Sequence, residues 1–115
     1  MRRGEIRLVD FDPVRGSEAN KRRPAVIVSN DGANSTAARI GRGVITVVPV
    51  TPNVQRILPF QVLLPPGTAG LDRASKAQAE QIRSVAVERV GPPLGLLPAT
   101  IVAELDEALR LHLAL

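Results

Sequence analysis

Apolar residues fall into short runs over roughly the first ninety positions and into a helical stripe only at the end. Ile6 and Leu8 lie on one face of the segment Glu5 to Val9, which predicts a first strand. Pro24 opens a second, Ala25 to Ser29; proline at the first strand position costs little because the ladder has barely begun. The run Gly43 to Thr51 is almost continuously apolar, as expected of a third strand buried on both faces. Phe60 to Leu64, ended by the turn Pro65-Pro66-Gly67, predicts a fourth. Ala77 to Ile82 and Val85 to Val90 predict two more, and Pro92-Pro93 is expected to close the β region. Asn30 to Arg42 is small and polar without strand alternation, so a loop with one short helical turn is expected there. From Pro98 to Leu113 the positions Ile101, Val102, Leu105, Ala108, Leu109 and His112 form one stripe of an amphipathic helix. Pro98 suits its first turn.

Five or six short strands with one closing helix predict a mainly β fold, a small and strongly bent barrel, over a single domain 1–115. Composition agrees: 21 of the residues are Val or Ile, and ten prolines and nine glycines interrupt the chain often. No cysteine is present, which removes disulfides, thiolate nucleophiles and Cys-type zinc sites. No apolar signal core follows the first residues, and no stretch approaches the ~18 apolar residues that span a bilayer. The expectation is a soluble, unexported protein with no membrane association.

The charge is unevenly spread. Residues 1–60 carry ten Lys/Arg against five Asp/Glu, while residues 61–115 carry five against six. A basic half on a small domain suits a polyanionic partner, or simply a solvated surface. Catalytic options are few. The one histidine, His112, sits on the helical stripe, which argues against a Ser-His-Asp triad or a His-rich metal centre. Asp10 and Asp12 share a strand-end spacing, and a capping or ion-pairing role suits them better than a magnesium site. Phe11 and Phe60 are the only aromatics, too few for a base-stacking platform. The segment Asp12 to Arg23 is long for a connection between strands, and loops of that length are usually functional or disordered. It offers Arg15, Ser17, Glu18, Asn20, Lys21, Arg22 and Arg23, with Gly16 as a pivot. Arg23 precedes Pro24 and is thereby held extended. An ordinary solvated run of charge is the competing reading of the same residues.

Several segments, in order along nearly the whole chain, resemble the MazF/PemK family of toxins. Gly4-Glu5-Ile6, then Val9-Asp10-Phe11-Asp12-Pro13, then Gly16-Ser17-Glu18 and Arg23-Pro24-Ala25-Val26-Ile27-Val28-Ser29-Asn30 match its opening. Val47-Val48-Pro49-Val50-Thr51 resembles the end of its third strand. Glu80-Gln81-Ile82-Arg83-Ser84-Val85, with Arg89 beyond, resembles a later strand. Leu105-Asp106-Glu107-Ala108-Leu109 matches its last helix. Two positions depart from the common pattern: Arg7-Leu8 stands where many relatives carry an aromatic, and Pro52 follows Thr51 in place of the commoner serine.

The resemblance implies an SH3-like barrel, a homodimer and a sequence-specific endoribonuclease. The substrate would be single-stranded RNA, messenger RNA among it, cut without metal or other cofactor. A MazE-like antitoxin would be the partner that occupies the RNA groove. It assigns catalysis to Arg23 and Thr51 and sets Ser17 and Glu18 beside the scissile phosphate, with Gln81 lining the groove. Lys21 and Arg22 are added as RNA-binding cations, and Glu18 as the group accepting the 2′-hydroxyl proton. The expected products are a 2′,3′-cyclic phosphate and a 5′-hydroxyl. Two other readings share the fold: a barrel toxin that binds DNA gyrase without chemistry, and a non-catalytic RNA-binding module.

Overall fold

The computed structural model describes residues 1–12, 17 and 22–115. Along these the chain forms β1 (Glu5–Asp10), β2 (Arg22–Ile27), α1 (Asp31–Ile40), β3 (Val44–Thr51), β4 (Gln61–Leu64), β5 (Ser75–Gln78), β6 (Arg83–Ala86), β7 (Val90–Leu96) and α2 (Ala99–Leu113). The strands make one antiparallel sheet in the order β4-β5-β3-β2-β1-β7, with β6 also paired to β3.

β3 is central because its apolar run can be covered on both faces. One edge pairs with β2 through Ile27↔Val47, Val26↔Val48 and Ala25↔Pro49. The other edge pairs first with β6, from Val44↔Ala86 to Val47↔Arg83, and then with β5 through Val50↔Ala77 and Thr51↔Lys76. Successive side chains of a strand point to opposite faces. Val26 and Val48 accordingly join Ile6, Val50, Leu64 and Ala77 in a core closed by Leu105, Ala108 and Leu109 of α2. Ala25, Ile27 and Val47 turn the other way, into a second cluster with Val9, Phe11, Ile45, Val85 and Ala37 of α1.

Three expectations are revised. The strands predicted over 77–82 and 85–90 are each cut short by a 3-10 turn, Ala79–Gln81 and Val87–Arg89. The first turn bends the chain from β5 to β6 so that both reach the same edge of β3. Second, the segment after Asn30 is a ten-residue helix, longer than the loop with one short helical turn expected there. The Asn30 side chain accepts from the N–H of Ala33 at 2.8 Å, and Gly41 ends the helix in the left-handed conformation. Its buried positions are Asn34 and Ala37, so no apolar period announces it. Third, Pro92-Pro93 does not end the β region, since β7 runs through both. β7 lies at the end of the sheet, and both prolines are exposed there, where a missing N–H is tolerated.

The path of hydrogen-bonded strands stays open between β4 and β7 among the described residues. Packing spans the gap: the 3-10 turn Thr68–Gly70 lies against β7 so closely that a Cβ on Gly95 would sit 2.6 Å from the carbonyl oxygen of Ala69. The outcome is the bent, mainly β fold with a C-terminal helix that the sequence implies. His112 lies exposed on α2, its ring 5.8 Å from that of Phe60. No helix among the described residues is long and apolar enough to cross a membrane.

Candidate functional site

Arg23 and Thr51 lie where β2 begins and β3 ends. The pairing of these strands stops at Ala25↔Pro49. Neither Pro24 nor Pro49 has an N–H to donate, which leaves the ladder weak at this end. Two residues beyond the last pair lie Arg23 on β2 and Thr51 on β3, on the same face by alternation. Both are half-buried. Arg23 is opposite Val9 in the pairing with β1, so it leaves the sheet on the side of the second core.

Thr51 is conformationally held. Its Oγ1 accepts from the N–H of Asn53 at 3.3 Å, leaving its own O–H to donate elsewhere. The loop 52–60 continues this order. The Asn53 side chain accepts from the N–H of Gln55 at 3.3 Å, and the Gln61 side chain accepts from the N–H of Leu58 at 2.9 Å. Lys76 donates to the Arg56 carbonyl at 2.7 Å. The sequence reading passed over Lys76 because it belongs to no motif and lies far from Thr51 along the chain.

Of residues 13–21, Ser17 is described: it is exposed, and its backbone carbonyl accepts from the Gln81 side chain at 3.1 Å. Ser17 and Gln81 are therefore together, through the main chain rather than the hydroxyl. Glu18 and Lys21 lie outside the described residues, as do Arg15, Gly16 and Asn20. Arg22 is exposed opposite Asp10 and lines a cleft of about 490 Å³ with Asp12, Glu88, Arg89 and Gly91. Arg89 donates to the backbone carbonyls of Asp10, at 3.2 Å, and of Asp12. The guanidinium of Arg83 lies 5.5 Å from the centre of the Phe11 ring. Gln81, Arg83 and Arg89, all within the later strand segment that resembles the family, thus contact Ser17, Phe11 and the end of β1. Asp10 caps the strand end, its side chain accepting from the N–H of Asp12 at 3.0 Å. Among the described residues no group of three or more His, Cys, Asp or Glu side chains comes together.

The small bent sheet with its C-terminal helix has counterparts among solved structures. The chain belongs to the family described as PemK-like, MazF-like toxin of type II toxin-antitoxin system, whose sequence model matches residues 2–113. Over its whole length it is 65% identical to endoribonuclease MazF9 of Mycobacterium tuberculosis (strain ATCC 25618 / H37Rv), covering 98% of that protein. It is 32% identical to endoribonuclease MazF of Staphylococcus epidermidis, with 100% of this chain and 92% of that protein covered. Its structure is similar to MazF of Deinococcus radiodurans, with a TM-score of 0.80, 27% identity and coverage of 100% and 97% of the two chains. It also shares the fold of a mycobacterial endoribonuclease solved with its cognate antitoxin, with a TM-score of 0.78 at 22% identity over 100% and 96% of the chains.

Proposed function

We propose that this chain, a MazF-type toxin, is an endoribonuclease that cuts single-stranded RNA at particular sequences without a metal ion, arresting translation and growth. It acts as a single domain, 1–115, paired in a homodimer in the cytoplasm. A cognate antitoxin segment restrains it by filling the RNA groove. The observation that carries the reaction class is full-length similarity, at 65% identity, to a protein named as an endoribonuclease. The shared face and strand end of Arg23 and Thr51 support the residue assignment.

RNA contains its own nucleophile. Once the 2′-hydroxyl loses its proton, its oxygen attacks the adjacent phosphorus, and the bond to the 5′-oxygen breaks as that oxygen takes a proton from solvent. The products are a 2′,3′-cyclic phosphate and a 5′-hydroxyl. The protein has to align these atoms and stabilise the extra negative charge of the phosphorane. A guanidinium stays charged and binds phosphate oxygens in a fork, so Arg23 is the charge stabiliser. The Thr51 O–H donates to a non-bridging oxygen. Glu18 accepts the 2′-hydroxyl proton, and Ser17, Lys21, Arg22 and Gln81 contact the RNA around the scissile bond.

The test is incubation of purified protein with a long mixed-sequence RNA in EDTA, followed by mapping of the cut positions and the chemistry of the new ends. Cuts at a recurring short word, ending in cyclic phosphate and 5′-hydroxyl, support the proposal. Intact RNA, with either salt-dependent binding or inhibition of gyrase, would replace it by one of the non-catalytic readings.

A further inference from the structure

Lys76 of β5 is the cross-strand partner of Thr51. Partners in an antiparallel ladder have Cα atoms about 4.5–5.5 Å apart and side chains on one face. Thr51 therefore has β2, with Arg23 at the same strand end, on one side and Lys76 on the other. Lys76 is only 9% exposed, yet among the described residues no carboxylate pairs with it. Its ammonium has three donors, and one reaches the carbonyl of Arg56 at 2.7 Å. Burying a charge without a counter-charge is costly, so a lysine here carries a desolvation penalty that an apolar side chain of similar size would not. Its other cross-strand neighbour, Leu63 of β4, is 46% exposed, so this lysine does not complete an apolar core. A methionine would fill the same strand position without the desolvation cost.

The hydrogen bonds around it reach the candidate site. Lys76 holds Arg56; its neighbour Gln55 donates its N–H to the Asn53 side chain; and the N–H of Asn53 donates to Thr51 Oγ1. We propose that Lys76 is a positioning residue for RNA cleavage, fixing the loop that starts at Thr51 and so the direction in which the Thr51 hydroxyl donates. This rests on the cleavage reading above. Lys76 need not touch the substrate. Its effect is expected in the rate of the chemical step more than in binding, because a misdirected donor is lost mainly from the transition state.

The experiment is a double-mutant cycle in single-turnover RNA cleavage, with thermal melting of every variant. Lys76→Met is expected to lower kcat about tenfold with KM changed less than about threefold, and to shift Tm by no more than about 5 °C. Lys76→Arg, which can still donate to Arg56, should regain most of the rate. In the Thr51→Ala background, Lys76→Met should cost nothing further, because the group it orients is already gone. Wild-type kcat in Lys76→Met, an additive loss in the double variant, or a fall in Tm that accounts for the lost rate each overturns the proposal. If the wild-type chain leaves RNA intact, the nuclease reading fails together with this one. If wild type cuts and Lys76→Met cuts equally well, only the role of Lys76 fails.

Discussion

Replacing Arg23 by alanine separates chemistry from folding at one position. Arg23 is half-buried on β2, within a short stretch held extended by the following proline. Alanine accepts that backbone geometry, and the loss on the folded side is part of the packing of one aliphatic stem against the sheet. The stability change should stay near 1 kcal/mol or below, a Tm shift of about 5 °C at most for a domain of this size. The loss to the reaction is larger. Removing one transition-state donor costs about 2.7–4 kcal/mol, roughly a hundred- to a thousandfold in rate. A guanidinium supplies two parallel, charge-assisted donors, so Arg23→Ala is expected at the upper end of that range. Arg23→Lys keeps the charge without the fork and should fall between alanine and wild type. The assay is single-turnover cleavage of a mixed-sequence RNA in EDTA, at a temperature well below both melting points. A folded Arg23→Ala protein that cuts within about threefold of the wild-type rate would refute the assignment.

Three other outcomes are expected. Thr51→Ala should slow cleavage about ten- to a hundredfold, with Thr51→Ser retaining most activity, because one neutral donor is at stake rather than a charged fork; equal rates for Ala and wild type would remove Thr51 from the mechanism. Asn30→Ala removes the side-chain acceptor for the N–H of Ala33 and should cost about 1 kcal/mol, read as a Tm lower by about 5 °C with RNA cleavage unchanged at low temperature. Gly95→Ala places a methyl group 2.6 Å from the Ala69 carbonyl oxygen, a backbone atom that cannot rotate away, and should destabilise by about 1–3 kcal/mol. An unchanged Tm in Gly95→Ala would mean that the 3-10 turn does not pack on β7 as described.

Local patterning determined the elements whose burial is one-sided or complete. β3 and α2 were legible because their apolar positions repeat at the spacing of the surface they bury. α1 was not, since the face it turns inward carries Asn34, which donates to the Ser29 carbonyl at 2.8 Å, and the small Ala37. Its caps, Asn30 and Gly41, were the available signal. The prolines of β7 look like a stop in sequence and are acceptable in space only because the strand ends the sheet. For the site, Arg23 and Thr51 were named because they match positions of the family's motifs, Arg-Pro and the end of the third strand. That they lie on one face depends on the parity of the β2–β3 register, which a one-residue slip would reverse. The pairing of Thr51 with Lys76, and of Gln81 with the main chain at Ser17, joins segments far apart along the chain. No periodicity encodes such contacts. The sequence by itself determined which residues prefer strand, helix or turn and which chemistry is available; the tertiary structure decided which of those groups meet, because strand register and the bend between β5 and β6 are properties of the whole sheet.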